Sequence, residues 1–170
     1  MADNFFLALL PPPNRVQALC ELRDQSDHGK PLDDARFHIT MYLLDPRIAE
    51  MDNIIARLRG ILENIRLPAC SVLFDEIIGG EGTMLLRGNE TPPSIDMLRD
   101  RIVSLLMPAG IAQYPGYQFR PHVSLRRGKV ERGRWSIDPI GWPATEIVFV
   151  RSYVGKGRHE IIDRWELKRN

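Results

Sequence analysis

Hydrophobic positions along this chain fall into two rhythms, short runs of period two and longer runs spaced three and four apart, the patterns of strands and helices. Asn4–Leu10 reads as a buried strand stopped by Pro11-Pro12-Pro13. Asn14 is placed to cap a helix from Arg15 to about Gln25, with Val16, Leu19, Cys20 and Arg23 on one stripe. A polar loop, 26–35, precedes a strand over 36–44 that the turn-forming Asp45-Pro46 closes. A second helix is predicted from Pro46 to about Asn64 on the stripe Ile48, Met51, Ile55, Leu58 and Leu62. Cys70–Ile78 and Thr83–Arg87 read as strands joined by Gly79-Gly80-Glu81-Gly82. Thr91 would cap a third helix, Pro92–Leu106, and 107–118 is a loop rich in Pro and Gly. A strand over 119–126 and a basic loop holding Trp135 and Trp142 follow, then strands at 145–153 and 159–167 around Gly155-Lys156-Gly157. This order of elements is that of an α+β protein whose helices cover antiparallel or mixed sheets.

Two of the strands carry the same polar phrase. In Phe37-His38-Ile39-Thr40-Met41-Tyr42-Leu43, alternation puts Phe37, Ile39, Met41 and Leu43 on one face and His38, Thr40 and Tyr42 on the other. In Pro121-His122-Val123-Ser124-Leu125, His122 and Ser124 again point together, 84 positions after His38 and about half a chain away. A single strand His followed by Thr is ordinarily a satisfied polar position. Two copies, one per half and each inside an apolar strand, point to a shared site.

Bulk properties narrow the setting. At 170 residues the chain is expected to form one domain, 1–170, built of two similar lobes. The net charge of +1 argues against indiscriminate coating of nucleic acid. The basic residues are nearly all Arg, which favours planar recognition of phosphate or carboxylate, and they concentrate between Arg120 and Arg134. Cys20 and Cys70 lack metal-ligand spacing and read as buried free thiols. No charged leader and no apolar run of about 18 residues is seen, so the expectation is a cytoplasmic protein without a membrane span.

If the two strands face one another, two imidazoles flank a pocket and two hydroxyls line it. Attack on a phosphodiester needs a base for the nucleophile and an acid for the departing oxygen, and histidine serves either role near neutrality. Thr40 and Ser124 are placed to hydrogen-bond the non-bridging oxygens as charge develops, and the fork of donors on Arg127 to steady it. A zinc hydrolase is disfavoured, since no His-Glu-x-x-His or close Cys/His cluster occurs. A non-catalytic RNA-end binder is the rival of another class.

The paired His-x-Thr/Ser motifs resemble those of the 2H phosphoesterase superfamily, and most of all the 2′-5′ RNA ligase family, whose members act as RNA 2′,3′-cyclic phosphodiesterases. The resemblance covers nearly the whole chain, including the opening strand, proline and helix over Asn4–Leu19 and the closing hairpin over Ile147–Leu167. It implies a bilobal fold, two antiparallel sheets with pseudo-two-fold symmetry around a central cleft, helices on the outer faces, no cofactor and no metal. Carried over, His122 would activate water and His38 protonate the leaving 3′ oxygen, leaving a 2′-phosphomonoester. Thr40, Ser124 and Arg127 would bind phosphate, with Ser124 standing where Thr is commoner. Phe5, Tyr42 and Tyr114 are candidates for stacking on a base, and Arg126, Arg132 and Arg134 for nucleic-acid contact. The expected partner is an RNA or oligonucleotide ending in a cyclic phosphate, or a small nucleotide such as ADP-ribose cyclic phosphate, met by a monomer.

Overall fold

The computed structural model describes residues 3–48 and 51–169. Two five-stranded sheets form the molecule. The first has the order β3-β1-β9-β10-β4, from Ile39–Leu43 (β3), Asn4–Leu9 (β1), Glu146–Tyr153 (β9), Arg158–Lys168 (β10) and Leu67–Pro68 (β4). The second has the order β2-β7-β6-β5-β8, from Lys30–Pro31 (β2), His122–Arg127 (β7), Thr83–Arg87 (β6), Cys70–Gly80 (β5) and Gly133–Ala144 (β8). Every pairing is antiparallel except β4 on β10, so the expectation of two antiparallel sheets fails only at that two-residue edge.

The predicted helices are present as α1 (Pro13–Asp24), α2 (Met51–Leu62) and α3 (Pro93–Leu106). Their starts differ from the sequence expectation. Pro12 and Pro92 occupy the cap positions of α1 and α3, with proline again in the first turn and no side-chain cap bond from Asn14 or Thr91. Proline has no N–H to cap, and its fixed φ already suits a helix start. Pro46 lies in a turn ahead of α2, and the side chain of Met51 lies outside the described residues. The basic stretch around Trp135 and Trp142 is not a loop but the long strand β8. Pro139, Pro143 and Gly141 argue against a central strand, yet β8 lies at a sheet edge, where a missing N–H costs no ladder bond. Glu81 and Gly82, both at positive φ, form the tight turn between β5 and β6.

The lobes are built alike and interlocked. In each, a strand, a helix and a His-bearing strand follow in order, β1-α1-β3 and β6-α3-β7, and the His strand pairs back onto the first. Each helix then packs against the other lobe's His strand, α1 on β7 and α3 on β3. The connections cross as well. β2, from the segment leading to β3, joins the edge of β7, while Leu44 bridges to Gln113 and Tyr114 donates its N–H to the Leu43 carbonyl at the edge of β3. One continuous core fills the space between sheets and helices, including Leu19, Leu58, Leu98, Ile102, Phe74, Val123 and Phe149. A small second cluster, Phe6, Ala8, Val148 and Val150, covers the opposite face of the first sheet. Among the described residues no helix is long and apolar enough to cross a membrane.

Each His strand carries a bulge one residue past its hydroxyl. Leu7 pairs with Tyr42 and Ala8 with Thr40, leaving Met41 extra, and Met84 pairs with Arg126 and Leu85 with Ser124, leaving Leu125 extra. An extra residue reverses the alternation beyond it. Met41 and Tyr42 are therefore both buried in the core, as are Leu125 and Arg126. Arg99 of α3 donates a 2.5 Å hydrogen bond to the Met41 carbonyl inside the first bulge. Since Met41 and Leu125 fill the core from the bulges, Met41→Ala and Leu125→Ala should each lower the unfolding free energy by about 2–5 kcal/mol. A denaturant titration reads this as a lower midpoint at unchanged slope.

Candidate active site

His38 immediately precedes β3 and His122 opens β7, so each imidazole stands where its strand enters a sheet. Both are held in the same way. Nδ1 of His38 lies 2.7 Å from the Arg36 carbonyl, and Nδ1 of His122 lies 2.7 Å from the Arg120 carbonyl, in each case two residues upstream. A carbonyl oxygen only accepts, so Nδ1 carries the proton and Nε2 is left to exchange one. The strands β3 and β7 are in contact across the lobes, and the charge of His122 acts on His38.

A cleft of about 630 Å³ opens on this face, and its walls include Phe6, His38, Thr40, Arg127, Ser152 and His159. Thr40 and Arg127 thus join His38 in one cavity, while His122 and Ser124 stand on the β7 side, outside its immediate lining. The bulges explain this set. Thr40 precedes its bulge and shares a face with Ala8, and Leu43, beyond it, returns to the cleft opposite Phe6. By the same step Arg127, five residues past His122, comes to the face that His122 and Ser124 occupy before the bulge.

The three candidates for base stacking and the three arginines named for nucleic-acid contact all lie outside the cleft lining. Tyr42 follows the bulge into the core, is fully buried, and donates a 2.6 Å hydrogen bond to the Ile111 carbonyl, so it is no stacking platform. Burial pushes its hydroxyl up to about 12. Phe5 packs inward on Phe149, and its neighbour Phe6 is the ring that faces the cleft. Tyr114 is exposed at the edge of β3 and does not line the cleft. Arg126 is buried, and its guanidinium donates to the carbonyls of His28, Arg23 and Gly29, tying α1 and its following loop to β7. Arg134 is paired with Glu76 and Asn89 on the β8 side of the second sheet. Arg132 is exposed beside it, also outside the cleft lining.

The sequence pattern missed Phe6 and His159. Phe6 stacks on His38 with ring centroids 4.8 Å apart, and His159 of β10 meets His38 edge-on at 5.1 Å and Phe6 at 5.6 Å. The short 3-10 turn Asp34–Arg36 packs against β10, which brings His38 to this cluster. Only the pairing of β10 with β9 and β9 with β1 reveals that residue 159 belongs with residue 38. Arg36, unremarkable in sequence, also lines the cleft.

The site is positive and poor in compensating acid. Among the described residues no Asp or Glu lines the main cleft, while Lys30, Arg36, Arg127 and Lys156 do. Desolvation, with help from His122, Arg36 and Arg127, pushes His38 down to about 4, against the opposing bond to the Arg36 carbonyl. Desolvation, with the charges of His38, Arg36 and Arg127, also holds His159 down at about 4. His122 is lowered chiefly by desolvation too, with Arg87 and Arg127 adding to it. All three rings therefore favour the neutral form. No group of three or more His, Cys, Asp or Glu side chains among the described residues is arranged to hold a metal ion.

A buried neutral histidine charges more readily in the unfolded chain, so its contribution to stability is full above pH 6.5 and is lost as pH falls toward about 4. His159→Phe keeps an aromatic ring and removes one such group. The drop in unfolding free energy between pH 7 and pH 4.5 should be smaller in this variant than in the parent, read by denaturant titration at the two pH values. Arg126→Ala, which strands three carbonyls, should cost about 2–4 kcal/mol of unfolding free energy in the same assay.

Neither a protein-family model nor a curated protein matches the sequence. Solved structures do match. Escherichia coli LigT in complex with 3′-AMP superposes with a TM-score of 0.77 at 22% identity, covering 99% of this chain and 100% of that one. A phosphoesterase matches at TM-score 0.74 and 21% identity, covering 99% and 100%. A protein of Thermus thermophilus matches at 0.73 and 19%, covering 98% of each. With one His-bearing strand in each of two interlocked sheets, the chain has the bilobal α+β fold of the 2H phosphoesterases.

Proposed function

We propose that this protein hydrolyses 2′,3′-cyclic phosphodiesters at RNA or oligonucleotide ends, giving 2′-phosphomonoesters by two-histidine acid/base catalysis without a metal ion. The observation that carries this reading is the matched pair of imidazoles, one per lobe, each with Nδ1 fixed by the carbonyl two residues upstream, beside a positive cleft. LigT, of the same fold, has been crystallised with 3′-AMP and with phosphate, ligands of the kind this chemistry handles.

In the step proposed, Nε2 of His122 takes a proton from water as its oxygen attacks phosphorus, and the bond to the 3′ oxygen breaks. Nε2 of His38 gives its proton to that oxygen, so one water is added and the two rings end with their proton states exchanged. The hydroxyls of Thr40 and Ser124 donate to the non-bridging oxygens, and Arg127 steadies their charge. The free protein keeps both rings neutral, and the phosphate anion itself favours the protonated acid when substrate binds. Since His38 is pushed as low as about 4, the role of acid is the more demanding one for it.

LigT also binds NADP+ and ATP, which supports a second reading in which a small nucleotide, such as ADP-ribose 1″,2″-cyclic phosphate, is the substrate. Incubating the protein with a 2′,3′-cyclic-phosphate oligonucleotide beside ADP-ribose cyclic phosphate separates the two. His38→Ala and His122→Ala should each lose at least about a hundredfold in turnover while a chelator leaves the rate unchanged. With a nitrophenyl phosphodiester, whose leaving group needs no acid, the defect of the acid variant should shrink and that of the base variant persist. Binding of cyclic-phosphate ends without turnover would identify a non-catalytic binder instead.

A further inference from the structure

Beyond the cleft lies a second pocket of about 580 Å³, walled in part by Arg23, Lys30, Asp33, Arg36, Arg127 and Lys156. Four of these cations, Lys30, Arg36, Arg127 and Lys156, also line the main cleft, so the two cavities share one basic wall. That wall is assembled from both lobes. Lys30 of β2 lies directly opposite Arg127 of β7 in the ladder, on the same face. Arg36 comes from the turn before His38, and Lys156 from the turn between β9 and β10.

Such a wall is unfavourable by itself. Like charges directly opposite one another on a sheet destabilise the pairing. None of the four forms a salt bridge among the described residues. Among the described residues the one carboxylate lining the second pocket, Asp33, is engaged as the cap of its own turn, accepting from the Ala35 N–H. Arg23 is already bonded to Asp24 and to the Leu32 carbonyl. Arg36 shows the frustration most directly, because its Nε is buried and has no hydrogen-bond partner among the described residues. A buried donor left unpaired is costly, and the cost disappears when an anion arrives to accept from it. In the mechanism proposed above, the scissile phosphate sits in the main cleft with His38 and Thr40, neither of which lines the second pocket.

We infer that the second pocket binds a second phosphate of the substrate, the one on the 5′ oxygen of the nucleotide that bears the cyclic phosphate. This rests on the reading of the cleft as a cyclic phosphodiesterase, and it narrows the substrate class. An RNA end carries a 5′-linked phosphate in its chain, a 5′-phosphorylated mononucleotide carries one as a monoester, and ADP-ribose cyclic phosphate carries it as a diphosphate. A nucleoside 2′,3′-cyclic phosphate without a 5′ group has nothing to place there.

The test compares turnover of adenosine 2′,3′-cyclic phosphate, its 5′-phosphorylated form, the dinucleotide with the same cyclic end, and ADP-ribose cyclic phosphate. A 5′-linked phosphate should raise kcat/KM about tenfold or more, the scale of one charge-assisted contact to a partly buried donor. In Lys30→Ala and Lys156→Ala, both exposed positions, that ratio should fall toward one, and in Arg101→Ala, an exposed cation of α3, it should persist. The arm with the largest ratio identifies the phosphate's natural source. A parallel titration measures Kd for adenosine 2′-monophosphate and adenosine 2′,5′-bisphosphate, with the bisphosphate expected about tenfold tighter. Equal kcat/KM with and without the 5′ phosphate, or a ratio that Lys30→Ala and Lys156→Ala leave intact, overturns this inference while the phosphodiesterase reading stands. If no cyclic phosphate is turned over, that reading falls, and the Kd ratio alone decides the second pocket.

Discussion

The placement of the site depends on one extra residue in each His strand. Strict alternation would send Tyr42 and Arg126 to the same face as the histidines and turn Leu43 and Arg127 inward. The bulges at Met41 and Leu125 reverse this, so that Thr40 with Leu43, and Ser124 with Arg127, share a face while the residues between anchor the core. Bulges bend a strand and re-aim its side chains, which is why they recur beside functional sites. Here the device appears twice, at the same step after each hydroxyl. Arg99 secures the first from the neighbouring helix through the Met41 carbonyl, and Arg126, turned inward by the second, secures α1 through three carbonyls.

Interlocking keeps the two copies in register with each other. Each lobe's connecting segment adds backbone bonds to the edge of the other lobe's His strand, β2 on β7 and the Gln113–Tyr114 segment on the end of β3. α1 and α3 cross in the same sense, so neither lobe buries its helix without the other. The two imidazoles are thereby held relative to one another by packing that both lobes share.

The electrostatics of the cleft run against stability. Among the described residues four cations line the main cleft with no carboxylate in its walls, burial lowers the pKa of three imidazoles, and one buried Arg36 nitrogen has no hydrogen-bond partner. A large apolar core sustains that concentration of like charge. Local conflict of this kind is expected where a binding site, rather than folding, selected the residues.

The sequence alone determined much of the architecture. Helices α1, α2 and α3 and strands β1, β3, β5, β6, β7, β9 and β10 are visible in it as apolar runs or stripes bounded by proline, glycine and other turn residues. The repeated His-x-Thr/Ser phrase also marked His38, Thr40, His122 and Ser124, since chemistry borne by adjacent positions on one strand is local information. Strand β8 was hidden by prolines that only an edge position tolerates, and that position is a property of the sheet order. Tyr42, Phe5 and Arg126 looked available until bulges and packing buried them, and Phe6, Arg36 and His159 acquired their meaning from neighbours far away in the chain. Which side chains share a face beyond a bulge, and which strands lie side by side, are decided by long-range pairing and burial, and no local period records them.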